Sequence, residues 1–314
     1  MMPRGQAPES DQPGDWFQAR AGDTVPGLAG PAGWTQPGPP GPPGPHVPPR
    51  PYGRVRRPRR WIRVLRRTLA VLGSLILLAC LGFGALLIGT PSVGNAQALA
   101  QAQDRGHGVA YPGPPVPARF AGALVATEDH RFYRDPGIDP VAVFRVAWGY
   151  LRGDGSQQGG ATITQQLAKM LYTPGQSGMK AEAKQIALAV KLNFTYSKAQ
   201  ILQMYADVAY FGQNYYSLGA AACGYFGVPP ASLSWSQAAL MAGIVQAPSS
   251  YDPLTDPANA HAREAHVLSR LVATGTLSQA QAGTALAQPL HLVPRDQALS
   301  PPPAGSSSCG GARA

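Results

Sequence analysis

The stretch SKAQILQMY, residues 197–205, indicates the fold most directly. Ser197 and Gln200 form the capping-box pattern, in which a serine opens a helix and a glutamine three residues later returns to its start. Ile201 and Tyr205 then place apolar side chains on one helical face. The same pattern of serine and glutamine recurs at residues 234–237 and 278–281. The sequence therefore predicts a protein built from capped helices.

Two further helices are predicted before this stretch. Residues 162–171 carry apolar side chains at helical spacing and end before Pro174 and Gly175, which stop a helix. Residues 179–192 are rich in Ala, Lys and Gln. No alternation of apolar and polar residues is long enough to predict a strand. We expect an all-α domain over residues 118–293, which is large enough for one hydrophobic core.

Charge is unevenly distributed along the chain. The 314 residues include 26 Lys and Arg against 16 Asp and Glu, which gives a formal net charge of +10. Eight arginines lie between Arg54 and Arg67, and without them the net charge is only +2. A nucleic-acid-binding protein more often spreads its basic residues over a folded face. We therefore expect no nucleic-acid partner.

An apolar segment follows the arginines. Residues 68–89, TLAVLGSLILLACLGFGALLIG, contain no charge, and as a helix they can cross a hydrocarbon core of about 30 Å. Because positive charge stays on the cytoplasmic side, the N-terminus is predicted inside and the chain after Thr90 outside. A cleaved secretory signal is the alternative, but about 60 residues precede the segment and no compact cleavage site follows it. The sequence predicts a single-pass protein of the cell membrane with an extracytoplasmic domain.

The remaining segments divide by composition. Residues 1–60 hold 15 of the 33 prolines and are predicted to be a disordered, Pro/Gly-rich cytoplasmic tail. Residues 61–90 form the basic flank and transmembrane helix, and residues 91–117 are predicted to be a linker. Residues 294–314 are predicted to be a second disordered tail.

The three cysteines suggest no disulfide framework. The number of cysteines is odd, and no two of them have the sequence spacing of metal ligands: they are Cys80, Cys223 and Cys309. The histidines form no HExxH pair either. We do not expect a domain built on disulfides.

Acidic residues are scarce after the apolar segment. The glutamates there are Glu128, Glu182 and Glu264. Glu264 lies in HAREAHVLSR, which is typical of a solvated helix face. Glu128 follows the apolar run 121–126, where a carboxylate loses hydration and its pKa rises toward that of a general base. The alternative, a helix-end carboxylate paired with Arg131 or Arg134, is about as well supported by the spacing.

A second polar segment covers residues 157–170, QQGGATITQQLAKM. Thr162, Thr164, Gln165 and Gln166 supply neutral hydrogen-bonding groups, and Lys169 lies one helical turn beyond Gln165. Amides and hydroxyls suit a sugar, and an ammonium group suits a phosphate. The segment is therefore a candidate binding site for a phosphorylated sugar.

The motifs together resemble those of a known family. ED-x-x-F at residues 128–132 with G-x-D at residues 137–139, GGATITQQLAK at 159–169, and the segments 196–227 and 238–253 follow one another in order. This order is similar to that of the family 51 glycosyltransferases, the peptidoglycan glycosyltransferases. The resemblance covers roughly residues 118–275, and the N-terminal anchor resembles the monofunctional members.

The resemblance implies a lysozyme-like helical domain that polymerises lipid II. It implies that Glu128 is the base acting on the 4-hydroxyl of the acceptor sugar, with inversion at the donor and loss of polyprenyl pyrophosphate. Lys169 and Lys184 would hold the pyrophosphate, with a divalent metal such as Mg or Mn and no organic cofactor. Further substrate contacts are implied for Asp129, Phe132, Asp139, Thr162, Gln165, Gln166 and Tyr205. Implied partners are lipid II, the nascent glycan strand, the cytoplasmic membrane and cell-wall synthesis proteins.

Several positions depart from the family pattern. Asp135 replaces a His, Ala161 a Ser and Asp207 an Asn, and Val228 replaces a Lys. Gln185 occupies the position of a second important acid, with Glu182 three residues earlier. These departures favour an alternative function, a weakened relative that binds lipid II or cell-wall enzymes as a scaffold.

A lysozyme-like hydrolase is the third hypothesis. It needs a second carboxylate across the scissile bond, for which the sequence offers Asp129, Asp139 and Asp154. Because neither the anchor nor Lys169 has a role in hydrolysis, we rank it last.

Overall fold

The computed structural model describes residues 60–139, 161–299 and 308–310, together with Gly38, Gly41, Gly44 and Arg152. The predicted N-terminal tail lies outside the described residues, apart from those glycines and Arg60. So do residues 140–151 and 153–160, which include the first four residues of the second polar segment. Asp154, one of the three acids considered for a hydrolase, is among these residues.

The described residues form ten α-helices, and their only β-type pairing is an isolated bridge between Tyr210 and Tyr216. The helices are α1 (Arg60–Gly89), α2 (Ala96–Gly106), α3 (Ala118–Glu128), α4 (Ile163–Tyr172), α5 (Met179–Thr195), α6 (Lys198–Val208), α7 (Leu218–Phe226), α8 (Trp235–Ile244), α9 (Pro257–Ala273) and α10 (Gln279–Leu286). Short 3-10 turns cover Pro230–Ser232 and Arg295–Gln297. The predicted all-α class is confirmed.

The helix starts are those that the serine and glutamine pattern predicts. Ser197, Ser234 and Ser278 each accept a hydrogen bond from the backbone N–H three residues on, and each glutamine returns to its serine's N–H. Such a cap satisfies backbone donors that a helix start would otherwise leave unpaired.

Two groups of helices build the domain. In the first, α3, α8 and α9 pack on one another, and every residue of α8 after Trp235 is buried. In the second, α4 packs on α5 and α6. The buried apolar side chains of both groups form one continuous core. The end of α3 and the start of α4 meet where the two groups join.

Helix α1 is long and apolar enough to cross a membrane, and none of its residues is buried. Its C-terminal end lies against α5, where Lys191 Nζ donates to the carbonyl oxygens of Thr90 (2.7 Å) and Pro91 (3.0 Å). Tyr196 donates its hydroxyl to Val93 O at 3.0 Å. These bonds satisfy carbonyl groups just beyond the helix end and tie α1 to the domain.

The structure differs from the predicted linker over residues 91–117. Helix α2 lies within it, and Ala96 and Ala100 are fully buried on one face. Gln103 Nε2 donates to Met170 O at 2.9 Å. Alanines four residues apart let a helix approach its neighbour closely, although they give little apolar signal in the sequence.

The structure also differs from the predicted C-terminal tail. Ala298, which lies within it, is 1% exposed. Cys309 forms a disulfide with Cys223 in α7 across a sequence separation of 86 residues. The sequence could not show this pairing, because three cysteines allow three different pairs.

Candidate active site

Glu128 is the last residue of α3, and both of its carboxylate oxygens are hydrogen-bonded. Oε1 accepts from Arg263 Nη2 at 3.1 Å, and Oε2 accepts from Gln166 Nε2 at 3.0 Å. The Arg263 and Glu128 side chains are only 10% and 12% exposed. The carboxylate is thus held by one donor from α9 and one from α4, at the junction of the two helix groups.

Arg263 is itself fixed by two more contacts. Its Nε donates to Gly243 O at 3.1 Å, and its guanidinium carbon lies 5.3 Å from the centre of the Tyr251 ring. The alternative drawn from the sequence, a pairing of Glu128 with Arg131 or Arg134, is wrong in its partner: the arginine beside Glu128 is Arg263, and Arg131 pairs with Asp139. Sequence reasoning missed Arg263 because it lies 135 residues from Glu128.

Gln166 is oriented by Tyr205, one of the predicted site residues. The Tyr205 hydroxyl donates to Gln166 Oε1 at 2.9 Å. Burial, with a smaller contribution from the Glu128 charge, raises the pKa of Tyr205, so its hydroxyl keeps the proton it donates. With Oε1 occupied in this way, the amide must turn its NH₂ group toward Glu128.

The remaining residues of the ED-x-x-F and G-x-D motifs lie in the segment after α3. Asp129 Oδ2 accepts from Ile163 N at 3.2 Å, at the start of α4. Phe132 is fully buried. Asp139 accepts from Arg131 Nε at 3.1 Å, and Thr162 donates its hydroxyl to Gly137 O at 2.7 Å. Thr162 also caps α4 by accepting from Gln165 N.

Gln185 does not join Glu128. It is buried, and its Nε2 donates to Thr173 Oγ1 at 3.0 Å. Thr173 lies seven residues beyond Gln166, or about 10 Å along a helix. The second acid position of the motif pattern is therefore near the far end of α4.

The two predicted phosphate-binding lysines lie on α4 and α5. Lys169 is exposed on α4. Lys184 is also exposed, and it lines a cavity of about 130 Å³ with Thr90, Pro91 and Thr173. Helix α4 thus leads from Glu128 toward the end of α1.

Glu264 is not on a solvated helix face, so that prediction is wrong. It is 1% exposed, and its Oε1 accepts from Ser236 Oγ at 2.6 Å. Burial raises its pKa. His261 Nδ1 of α9 lies 3.4 Å from its Oε2. The Ser236 hydroxyl comes from α8, a contact that the sequence of α9 alone does not reveal.

Asp207, which replaces an Asn of the family pattern, is a buried acid whose charge acts on a second buried acid, Asp104. Asp207 Oδ1 accepts from Gly113 N and Gln203 Nε2, whereas its Oδ2 and both oxygens of Asp104 have no hydrogen-bond partner among the residues that the structure describes. Burial raises the pKa of Asp207 to about 7. Burial and then the Asp207 charge raise the pKa of Asp104 to about 8.

Within residues 60–139, 161–299 and 308–310, no three His, Cys, Asp or Glu side chains lie close enough together to hold a metal ion. The side chains described do not by themselves fit the expected divalent metal, and no step below is assigned to one.

Comparison with known proteins supports the family that the motifs suggest. The family model described as Transglycosylase matches residues 95–272, which include α2 as well as the site. Penicillin-binding protein 1A of Aquifex aeolicus is 38% identical over 175 residues, which cover 56% of this chain and 24% of that protein. The proteins of the same name from Escherichia coli and Mycobacterium tuberculosis are 37% and 38% identical, over 53% and 52% of this chain and 20% of each relative.

The chain therefore aligns with a quarter or less of the length of these three relatives. The family match itself covers more than half of the present chain. Its motifs, its helices and this match show that the chain belongs to the transglycosylase family.

Proposed function

We propose that the protein is a membrane-anchored peptidoglycan glycosyltransferase that polymerises lipid II into glycan strands. The observation that carries this proposal is the Glu128 carboxylate, held between Arg263 and Gln166 at the junction of the two helix groups. The family match supplies the class of reaction.

Glu128 acts as the general base. It takes the proton of the 4-hydroxyl on the acceptor sugar while that oxygen bonds to the anomeric carbon of the donor. The bond from the anomeric carbon to the pyrophosphate oxygen breaks, and its electron pair leaves with the polyprenyl pyrophosphate. Attack from the side opposite the leaving group inverts the anomeric configuration.

The contacts of Glu128 suit this role. Each carboxylate oxygen accepts one hydrogen bond and can accept another, so a lone pair remains for the hydroxyl proton. Two donors from different helices fix the plane of the carboxylate, and such preorganisation lowers the cost of reaching the reactive geometry.

The leaving group would lie along α4, toward the membrane. Lys169 and Lys184 are exposed, and Lys184 lines the cavity beside the end of α1. Ammonium groups there stabilise the negative charge that develops on the pyrophosphate. A divalent metal would have to rely largely on pyrophosphate oxygens, since the described side chains offer no cluster of three ligands.

The proposal also includes the membrane anchor and the side of the membrane on which the domain lies. Helix α1 has the length and apolar surface of a membrane span, and arginines lie before it and in its first turns. The Cys223–Cys309 disulfide supports an extracytoplasmic domain, because disulfides persist in oxidising compartments. Under this proposal, we also expect other cell-wall synthesis proteins to be partners of the protein.

The direct test is to incubate the detergent-solubilised protein with lipid II and Mg²⁺ and to separate the products by size. We expect glycan polymer. Its absence, under conditions in which an intact family member makes polymer, would contradict the proposal.

Gln185 favours a second candidate, a scaffold that binds lipid II without polymerising it. An amide there cannot act as a carboxylate, and it is already engaged with Thr173. Under the main proposal, Gln185→Glu changes the polymerisation rate by less than about tenfold, or 1.4 kcal/mol. The scaffold function would be supported by two results together. The wild-type protein would bind lipid II without polymerising it, and the double variant Gln185→Glu with Ala161→Ser would polymerise it.

A further inference from the structure

Residues 211–215 form a tight turn with an unfavourable backbone. Tyr215 N donates to Gly212 O at 2.7 Å, which closes the turn. Its two central residues both have positive φ, 50° at Gln213 and 59° at Asn214. Glycine and asparagine tolerate this conformation, whereas glutamine rarely adopts it. Turn chemistry alone therefore does not account for a glutamine at position 213.

The Gln213 side chain reaches a second loop. Its Nε2 donates to Asp252 Oδ2, and Asp252 is only 5% exposed. A carboxylate only accepts hydrogen bonds, so the glutamine amide must present its NH₂ group there. The other oxygen of Asp252, Oδ1, accepts from Leu254 N at 2.9 Å. Without Gln213, Leu254 N would be the one donor left to this carboxylate in the described part of the chain.

The loop that Asp252 holds is joined to Arg263 by two routes. Tyr251 directly precedes Asp252, and its ring centre lies 5.3 Å from the Arg263 guanidinium carbon, a favourable contact between a cation and an aromatic face. The Asp252 carbonyl oxygen also accepts from Asp256 N at 2.8 Å, and Asp256 caps the start of α9, the helix that carries Arg263. Fixing Asp252 therefore fixes both the ring against Arg263 and the start of its helix.

We propose that Gln213 and Asp252 are positioning residues for Arg263 and, through it, for the Glu128 carboxylate, an inference that rests on the proposed function, in which Glu128 is the base. Arg263 Nη2 donates to Glu128 Oε1 at 3.1 Å. A shift of the Tyr251 loop would draw the guanidinium away from this oxygen. Glu128 would then spend less time in the reactive geometry.

Gln213→Gly separates positioning from folding. Glycine suits a positive φ better than glutamine, so the turn is kept while the donor to Asp252 is lost. We expect kcat for lipid II polymerisation to fall roughly tenfold with little change in KM, because Arg263 keeps its bond to Gly243 O. Asn214→Gly is the matched control, since it changes the neighbouring, exposed residue of the same turn, and it should keep its kcat. A wild-type kcat in Gln213→Gly would overturn the proposal.

Gln213 and Asp252 should act as one unit. Asp252→Ala should lower kcat about tenfold, and adding Gln213→Gly should lower it little further, because the bond is already lost. Asp252→Asn keeps Oδ1 for Leu254 N and offers its amide to the glutamine oxygen. It should therefore recover most of the kcat that the alanine variant loses. Losses that multiply to about 100-fold in the double variant would contradict the proposal.

Unfolding in denaturant tests the link to Arg263 without the reaction. Gln213→Gly should be less destabilising in the Arg263→Met background than in the wild type, since the guanidinium that it helps to hold is then absent. Any relief of the turn is the same in both backgrounds and cancels. If no variant makes polymer, the proposed function fails while this comparison still decides the link. Equal changes in the two backgrounds would overturn the inference whatever the activity.

Discussion

Replacing Arg263 with Met tests the ion pair that holds Glu128. The substitution removes the donor to Oε1 and the bond to Gly243 O, and it leaves the carboxylate with Gln166 alone. Both side chains of the pair are about nine-tenths covered, so solvent screens the charge only weakly. Removing one partner of a buried pair costs about 3 to 5 kcal/mol. Because Glu128 lies at the edge of a site, we expect about 3 kcal/mol.

The activity should fall further than stability alone explains. A carboxylate that is free to rotate spends less time in the reactive geometry, and small misplacements cost roughly 100-fold in rate. We expect Arg263→Met to lower kcat by about that factor with a small change in KM. Arg263→Lys keeps the charge but cannot reach Glu128 and Gly243 O together, so its kcat should be intermediate.

The assay is lipid II polymerisation at a temperature where every variant is folded, combined with denaturant unfolding. Arg119→Met is the matched control. Arg119 lies in α3, and like Arg263 it donates to a backbone carbonyl, that of Leu233, at 2.8 Å. This control should keep its kcat. The reasoning would be refuted if Arg263→Met polymerised lipid II at the wild-type rate.

Two further predictions concern stability. Asp207→Asn should raise the free energy of unfolding by about 4 kcal/mol at pH 8 and by little at pH 4. The reason is that burial raises the pKa of Asp207 from 3.8 to about 7, and each pKa unit is worth about 1.4 kcal/mol. The native carboxyl holds its proton to higher pH than the unfolded one, so wild-type stability falls as pH rises; equal gains at both pH values would contradict this. Cys309→Ser should lower the free energy of unfolding by about 4 kcal/mol, since Cys223 and Cys309 are 86 residues apart. A reductant should reproduce that loss in the wild type and have no effect on the variant.

The sequence predicted local features well. Ser197, Ser234 and Ser278 open helices as expected, because a capping box is complete within four residues. The scarcity of glutamates also made Glu128 a candidate base before its surroundings were known. Features that depend on a few neighbouring residues were therefore accessible.

Features that depend on distant contacts were not accessible in this way. Arg263 reaches Glu128 from another helix, α9, and Glu264 is hydrogen-bonded to Ser236 of α8. The position of Gln185 beside Thr173 depends on how α4 and α5 pack. In each case the deciding partner is remote in sequence, so neither spacing nor periodicity can specify it.

The central claim is that Glu128 is the base of a glycosyl transfer, and Glu128→Gln tests it most directly. The amide keeps an acceptor for Arg263 and nearly the same shape, but it cannot take the hydroxyl proton. Lipid II polymerisation should be measured for both proteins, with lipid II binding measured in parallel. We predict that the variant binds lipid II and makes no polymer; polymerisation at the wild-type rate would contradict the account.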